Sequence, residues 1–319
     1  MGAYIVRRVL YLIPMMLVIS FLVYLGLEAM PGDAVDYMIS PDALSTMDSA
    51  QLDRVRAALG LDQPFIVRYF RWVGSLLQGN FGYSLQSGVP VSTLLANALP
   101  ATVELSVVAL LVSSLVGGLL GVASALKKGG SLDVALSAIG MIGVAVPQFL
   151  FGLICIIVFS FNLHWLPVGG RMAHDGQTFF ERLPYLVMPA TVLGLSMLAG
   201  VMRYSRASML DSLNRDFVKT ARSKGLPEWR INLIHGLRTA MVPVVVLIGF
   251  RLPMLIGGAV VIEQVFQWPG VGVLFLQAVS SQNAPVVMMI GFATALFVLI
   301  SSLLVDVMTA ILDPRVQLG

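Results

Sequence analysis

The sequence predicts an all-α polytopic membrane protein with six transmembrane helices and an external helical subdomain between the first and the second. The 319 residues are 57% hydrophobic, and their mean hydropathy is +0.88. Only 12% of the residues are charged, whereas about a quarter is usual in soluble domains. The Lys and Arg residues also collect on one side of the topology that six apolar segments define.

Six segments are apolar over the length of about 20 residues that a bilayer requires. In chain order they cover residues 9–29, 99–126, 134–161, 185–202, 241–262 and 286–312. Six crossings place both termini on the same side of the membrane. Arg7 and Arg8 before the first segment are typical of a secretory signal. The apolar run is too long for one and lacks a small-residue cleavage site, so we expect it to remain a membrane helix.

The distribution of positive charge sets the predicted orientation. Thirteen of the 20 Lys and Arg residues fall on one side of this topology, and eight of them lie between residues 203 and 238. Loops rich in Lys and Arg stay in the cytoplasm, so both termini are predicted to be cytoplasmic. The same placement explains the net charge of +3 as a feature of topology, and no nucleic-acid partner is expected.

Residues 31–98 form the predicted external subdomain, because they are too many for a simple connection. Two amphipathic helices are predicted in it, one capped by Ser49 and ending near Gly60, the other beginning at Pro64. Their apolar sides consist of Leu52, Val55 and Leu59, and of Ile66, Tyr69 or Phe70, Val73 and Leu77. The remaining units are the first transmembrane helix (1–30), a five-helix core (99–312) with a cytoplasmic loop at 203–240, and a cytoplasmic tail (313–319).

Two features within the spans concern helix packing. Small residues recur at every fourth position of the second span, at Ser113, Gly117, Gly121 and Ala125, which allows a neighbouring helix to approach closely. Pro147, inside the third span, removes a backbone donor and is predicted to kink that helix. The kink fits either a hinge or static packing.

Ionisable residues within the spans are candidates for function, because their burial in a bilayer is costly. Arg251 in the fifth span needs an anion or a water-filled lumen. It could pair with Asp306 of the sixth span, contact a carboxylate of a solute, or line a wet path, so both residues are candidates for a translocation path. Glu28, Glu104 and Glu263 lie near the external ends of spans, where we expect water or lipid headgroups to solvate them.

No active site is apparent in the sequence. It lacks a G-x-x-x-x-G-K-[ST] run that could hold ATP phosphates, so we expect no enzyme, and energy would have to come from another subunit. No Ser residue has a G-x-S-x-G setting. His164, His174 and His235 lie in different loops, and the single Cys155 lies in an apolar run. Neither a metal nor a cofactor is therefore expected in this chain.

Residues 216–243 form a basic, helix-prone segment between two apolar runs. Gly225 suits the left-handed conformation at a helix C-terminus, and Leu226-Pro227 suits the start of a second helix. The first helix is predicted over residues 210–224. One of its faces consists of Leu213, Phe217, Thr220 and Ala221, with Arg215, Lys219 and Arg222 on the other sides. This face could enter a groove on a partner, although the charge alone also fits an ordinary cytoplasmic loop.

This segment carries a family resemblance. Lys219-Thr220-Ala221, three further residues and Gly225 resemble the Glu-Ala-Ala-x-x-x-Gly loop of ABC-transporter permeases. The continuation of this loop in the dipeptide and oligopeptide branch is similar to His235-Gly236-Leu237-Arg238-Thr239-Ala240-Met241-Val242-Pro243. This chain has Lys219 where the general consensus has Glu, and Arg238 where Pro is usual. Both departures resemble the same branch. Further motifs that resemble this branch are Pro31-Gly32-Asp33, Leu59-Gly60-Leu61-Asp62-Gln63-Pro64, Gly79-Asn80-Phe81-Gly82, His164-Trp165-Leu166-Pro167, Trp268-Pro269-Gly270-Val271-Gly272 and Asp313-Pro314-Arg315.

The resemblance implies a permease subunit of an ATP-driven, binding-protein-dependent importer in the bacterial cytoplasmic membrane. A second, related permease would complete the path, two ATPase subunits would bind ATP and Mg²⁺, and an external binding protein would deliver the solute. The residues implied to dock on an ATPase subunit are Phe217, Lys219, Thr220, Ala221, Arg222, Lys224, Gly225 and Leu226. The solute could be a dipeptide, an oligopeptide, glutathione, a metal chelate or another small molecule.

Two alternatives stay open on the sequence alone. A secondary transporter would show inverted repeats and discontinuous spans with ion-binding polar groups. No convincing repeat between the two halves is found. A channel or a structural membrane subunit that is not driven by ATP also fits the spans.

Overall fold

The computed structural model describes residues 2–29, 47–58, 60–171, 178–251 and 254–312. Every regular element in these ranges is helical, apart from one isolated bridge between Tyr83 and Pro90. The predicted all-α class is therefore confirmed. Residue 30, residues 31–46 of the external subdomain and the tail at 313–319 lie outside the described residues, so the domain boundaries proposed there stay predictions.

The helices are, in chain order, α1 (Gly2–Glu28), α2 (Ser49–Ala58), α3 (Phe65–Leu77), α4 (Val91–Leu126), α5 (Ser131–Ala145), α6 (Gln148–Cys155), α7 (Phe179–Leu213), α8 (Asp216–Ser223), α9 (Glu228–Arg230), α10 (Leu237–Gly249), α11 (Met254–Val265), α12 (Val271–Ser280) and α13 (Ala284–Leu312). Two π-helical segments, Ile156–Asn162 and Ile231–Gly236, extend α6 and join α9 to α10.

Within the described residues, five helices are long and apolar enough to cross a membrane. They lie at Val6–Gly26, Val91–Leu126, Phe180–Leu213, Glu228–Gly249 and Ala284–Ala310. These helices correspond to the first, second, fourth and sixth predicted spans and to the first part of the fifth. The chain is thus a polytopic membrane protein, as predicted, whereas the number of crossings stays a prediction.

Two predicted spans are interrupted in the structure. The third is not one kinked helix, because α5 ends at Ala145 and α6 begins at Gln148, with Pro147 at the N-cap. Proline lacks an N–H donor and disfavours helical geometry in the residue before it, which explains the break. The fifth is interrupted as well, because α10 ends at Gly249 and is followed by a turn at Phe250 and Arg251.

The core of the bundle is the contact between α4 and α7, which the small-residue stripe of α4 makes possible. A Cβ atom on Gly117 would lie 2.8 Å from the carbonyl oxygen of Leu198, and one on Gly121 would lie 2.7 Å from Cβ of Ser205. Only glycine fits at these distances. The predicted close approach of a neighbouring helix is therefore confirmed, and α7 is that neighbour.

The external helix α3 packs against α1 through aromatic rings. Tyr69 is 5% exposed and its ring lies 5.3 Å from that of Phe21, whereas Phe70 is 64% exposed. The inward-facing residue of this pair is therefore Tyr69. The first external helix, α2, is capped one residue earlier than predicted, because the carboxylate of Asp48 accepts a hydrogen bond from the Ala50 N–H at 2.6 Å.

Candidate functional site

The turn after α8 has the predicted geometry. Gly225 has φ +73°, and a Cβ atom placed on it would meet nothing within 4 Å. Glycine is therefore favoured by the left-handed backbone conformation and not by lack of space. The Gly225 N–H donates to the Arg222 carbonyl at 2.9 Å and the Leu226 N–H to the Ala221 carbonyl at 3.3 Å, which closes the end of the helix.

The structure differs from the predicted helix of this segment in two respects, whereas its docking role stays a prediction. The single helix expected at 210–224 is divided, because α7 ends at Leu213 and α8 begins at Asp216. Leu213 therefore belongs to a different helix from Phe217 and Thr220. Ala221 is only 8% exposed and therefore faces the interior of the chain. Sequence periodicity alone could not show which side of α8 faces inward.

The inward side of α8 packs on the π-helical segment that leads into α10. Val218, Ala221 and Ile231 form a buried cluster, with Leu226 packed against it. Of the residues predicted to dock on a partner, those left exposed are Phe217, Lys219, Thr220, Arg222, Lys224 and Gly225. A partner would therefore contact this exposed set, and Ala221 and Leu226 would support it from inside.

Two of the exposed cations of α8 already have partners within the chain. The Arg222 guanidinium donates to both carboxylate oxygens of Glu228, at 2.7 and 3.1 Å, across the Gly225 turn. Lys219 Nζ lies 2.8 Å from the carboxylate of Asp216. Arg222 thus braces the turn, and the charge that α8 offers to a partner is partly neutralised.

Hydrogen bonds from α7 hold the coupling segment, defined here as residues 216–240, against the helix bundle. The Ser212 hydroxyl donates to the Gly236 carbonyl at 2.9 Å, and the Ser208 hydroxyl donates to the Ala240 carbonyl at 2.7 Å. A Cβ atom on Gly236 would lie 3.0 Å from Leu213, so the two elements are in close contact. A displacement of α8 would therefore be felt by α7 and α10.

A groove with a cavity of about 770 Å³ lies between α7, α10 and α13. Its lining is a mixture of polar and apolar side chains that runs from Arg215 and Thr239 near α8 to Tyr204 and Phe250. Ser208, Asp211 and Thr309 also line it. Polar side chains of this kind do not suit a lipid-facing surface, so the groove fits an aqueous path or an interface with another subunit.

The two candidate path residues do not pair with each other. Asp306 forms an ion pair with Arg8 of α1, in which Oδ2 of Asp306 lies 3.1 Å from Nη1 of Arg8. Arg251 instead lies against Gly200 of α7, and its buried Nε has no hydrogen-bond partner among the described residues. The pairing of Arg251 with Asp306 is therefore wrong, because α13 presents Asp306 to α1, whereas Arg251 is turned toward α7.

Two of the glutamates expected to be solvated are in fact held by the protein. Glu263 is 0% exposed and accepts hydrogen bonds from the Thr102 hydroxyl at 2.6 Å and the Gly272 N–H at 2.7 Å. It thus caps the N-terminus of α12. Glu104 pairs with Arg171 at 2.7 Å and with Arg182 at 3.4 Å.

Glu28 keeps a 40% exposed side chain, which pairs with Arg68.

Sequence reasoning also missed a buried ion pair near the Lys127-Lys128 turn. The Arg206 guanidinium of α7 donates to both carboxylate oxygens of Asp133, each at 2.7 Å. The Ser124 hydroxyl and the Gly129 N–H donate to the same carboxylate. Asp133 precedes the third predicted span. These hydrogen bonds hold its pKa well below the ordinary value, and the bond from Arg206 contributes most.

Two family profiles match the chain. The one described as "Binding-protein-dependent transport system inner membrane component" matches residues 117–318, which include α8 and its turn, the groove and Arg251. The chain belongs to this family. The profile of the N-terminal part of binding-protein-dependent membrane components matches residues 1–106. Members of this family are membrane components of transport systems with several subunits.

Relatives of this transport component match along nearly its whole length. The oligopeptide transport system permease protein AppB of Bacillus subtilis is 39% identical over 319 residues, which cover 99% of this chain and 100% of that protein. A putative peptide permease of Brucella suis is 38% identical over 98% of both chains. A probable peptide ABC transporter permease of Sinorhizobium fredii is 35% identical over 99% of this chain and 100% of that protein.

A solved structure shares the fold of this transport component. It is described as the crystal structure of an amino acid ABC transporter with histidines, and it aligns with a TM-score of 0.50 at 17% identity. The alignment covers 68% of this chain and 94% of that chain. At this identity the likeness concerns the fold alone.

Proposed function

We propose that this chain is a permease subunit of an ATP-driven importer for peptides in a bacterial cytoplasmic membrane. The observation that carries the proposal is its similarity, over 98–99% of its length, to peptide permeases from three bacteria. The groove between α7, α10 and α13 is one wall of the path, and a second, related permease subunit supplies the other. Both termini and the coupling segment face the cytoplasm, as the positive charge predicts.

The exposed side of α8 docks on one of two ATPase subunits, which bind ATP and Mg²⁺. An amphipathic helix that enters a groove is a common mode of docking. Phe217 is 38% exposed and offers an apolar anchor on this side, with Thr220 and Lys224 beside it. An external binding protein delivers the peptide to the opposite face of the permease pair.

Closure of the ATPase subunits on ATP moves α8, and the chain transmits this movement to the path. The buried cluster of Val218, Ala221 and Ile231 links α8 to the segment that begins α10. Ser208 and Ser212 link the same segment to α7. Since α7 and α10 line the groove, their displacement opens it alternately to the two sides of the membrane.

The test is peptide uptake into proteoliposomes that contain the permease pair, the ATPase subunits and the binding protein. We expect uptake of a labelled peptide to require ATP and to stop when the P-loop lysine of the ATPase is replaced. Uptake that persists without ATP and collapses with the ion gradient would support a secondary transporter. Passive equilibration of peptide would support a channel.

Coupling is tested at the α8 surface in the same system. Phe217→Ala is expected to lower the ATP hydrolysis that the binding protein stimulates, because it removes the exposed apolar anchor. Trp229→Ala is a suitable control, since Trp229 is 62% exposed on α9 and is not assigned to docking. An equal loss in both variants would argue against a specific docking role for α8.

A further inference from the structure

Arg251 is a cation at an interruption in the fifth predicted span. It follows the end of α10 at Gly249 and precedes the start of α11 at Met254. At 1.5 Å per residue, it lies about 20 Å along the helix axis from the start of α10 at Leu237. The residue is therefore deep in the apolar part of the chain, where a charge is costly.

The environment of the guanidinium holds it in place without satisfying its charge. It lies against Gly200 of α7, where a Cβ atom would overlap Nη2. Nε is buried and has no hydrogen-bond partner among the described residues, and none of them forms an ion pair with Arg251. Guanidinium carries five N–H donors and always keeps its charge, so this side chain is left with unused donors.

The carboxylates within the predicted spans, and that of Glu263 just beyond the fifth, are all engaged elsewhere. Their partners are Arg68 for Glu28, Arg171 for Glu104, Thr102 and the Gly272 amide for Glu263, and Arg8 for Asp306. The residues between Arg251 and Glu263 include no acid in the sequence. The carboxylate of Asp211 in the groove is eleven residues from Gly200 along α7, about 16 Å at 1.5 Å per residue. Among the described residues, the chain thus supplies no anion for Arg251.

The neighbouring groove is a source of an anion from outside the described residues. Phe250, the neighbour of Arg251, lines the groove together with Tyr204, which lies one turn beyond Gly200 on α7. Arg251 does not line the cavity itself, but Phe250 and Gly200 place it beside the end of the groove that is farther from α8. A solute that moves along the groove would pass this guanidinium, which is the only cation among the predicted spans.

We propose that Arg251 binds the carboxylate of the transported solute, and that the transporter thereby favours peptides with a free C-terminal carboxylate. A planar guanidinium recognises a carboxylate through two parallel hydrogen bonds, and Gly200 leaves the space that the guanidinium needs. The inference rests on the proposed function, since it presupposes that the groove is a path for peptides.

The test compares uptake of trialanine with that of its C-terminal amide by the complete complex in proteoliposomes. Both peptides are supplied at concentrations that saturate the binding protein, which the permease variants leave unchanged. We expect Arg251→Met to lower trialanine uptake about tenfold or more, since hydrogen bonds to a charged partner are lost, and to leave uptake of the amide unchanged. Arg251→Lys, which keeps the charge without the fork, is expected to give an intermediate ratio.

Gly200→Ala provides a second variant, because its methyl group displaces the guanidinium while the charge stays. We expect it to lower the ratio of acid to amide uptake with the complex still assembled. If Arg251→Met lowers the uptake of both peptides equally, the inference is overturned, and Arg251 merely lines a water-filled path. Dissociation of this variant from the second permease, with the ratio unchanged in Gly200→Ala, would also overturn it and indicate a pair between subunits.

The same experiment separates this inference from the proposed function. One outcome is ATP-dependent uptake by the wild type together with a ratio of trialanine uptake to amide uptake that no Arg251 variant changes. This outcome overturns the inference and leaves the proposed function standing. Failure of the wild type to take up either peptide in an ATP-dependent manner overturns both.

Discussion

The Gly225 turn is the feature whose perturbation tests coupling most directly. Its φ of +73° costs a residue with a Cβ atom about 1–2 kcal/mol, which corresponds to a roughly 5- to 30-fold lower population of the turn. A Cβ atom here meets nothing within 4 Å, so no steric clash adds to this cost. Asparagine tolerates the left-handed region, whereas valine, which is β-branched, fits it least.

ATP-dependent uptake by Gly225 variants should therefore follow the order Gly, Asn, Ala, Val. The amount of complex in the membrane should stay equal, because the turn lies outside the packed core. The assay is peptide uptake in proteoliposomes, normalised to permease content, with ATP hydrolysis recorded in parallel. We expect Gly225→Val to uncouple the two, so that transport falls while the ATPase subunits stay active.

Gly79→Val is the matched control. Gly79 has φ +77° and open space around its Cβ position, so the backbone cost is the same, but it lies in the external subdomain. Wild-type uptake by Gly225→Val would refute the coupling role of the turn. An equal loss in Gly79→Val would show that backbone strain anywhere in the chain impairs transport, and the argument from the position of Gly225 would fail.

Two further predictions concern stability and are measured as melting temperatures of the complex in detergent. Gly121→Ala should destabilise the contact of α4 with α7 by about 1–3 kcal/mol, because its Cβ would overlap the α7 backbone, whereas Gly118→Ala, with nothing within 4 Å, should be neutral or stabilising by about 0.5–1 kcal/mol. Equal melting temperatures would contradict this packing. Glu263→Gln should lower the free energy of unfolding by about 1–3 kcal/mol. The new amide NH₂ would face an N–H or O–H donor whose hydrogen bond the carboxylate now accepts. Exposed Asp53→Asn should leave the melting temperature unchanged, and a similar drop in both would show that the buried cap is not the cause.

The residues that sequence reasoning placed correctly are those whose behaviour depends on local chemistry. Gly225 was identified because a left-handed position at a helix end favours glycine. Pro147 was identified as the disturbed position of the third span because proline lacks the N–H donor, although the helix breaks there and is not merely kinked. The small-residue stripe of α4 predicted a close neighbour for a similar reason. These inferences needed only the residue and its position along a helix.

The errors concern partners across the fold. Arg251 and Asp306 are at similar depth in the predicted topology, yet Asp306 pairs with Arg8 because α1 packs on α13. Glu263 looked solvated because its span appeared to end near it, whereas the chain folds back so that the amides of α12 cover it. Asp133 and Arg206 are 73 residues apart, and no local pattern connects them.

The sequence alone determined the helical membrane class, the glycine turn at Gly225 and the predicted orientation, because hydropathy, backbone preference and charge distribution are properties of short segments. Only the tertiary structure decided which side of α8 is free, which anion each buried cation meets, and that Arg251 meets none among the described residues. The physical reason is that a helix face becomes inside or outside only when its neighbours are in place. A buried charge likewise finds its partner through helix packing and not through its position in the chain.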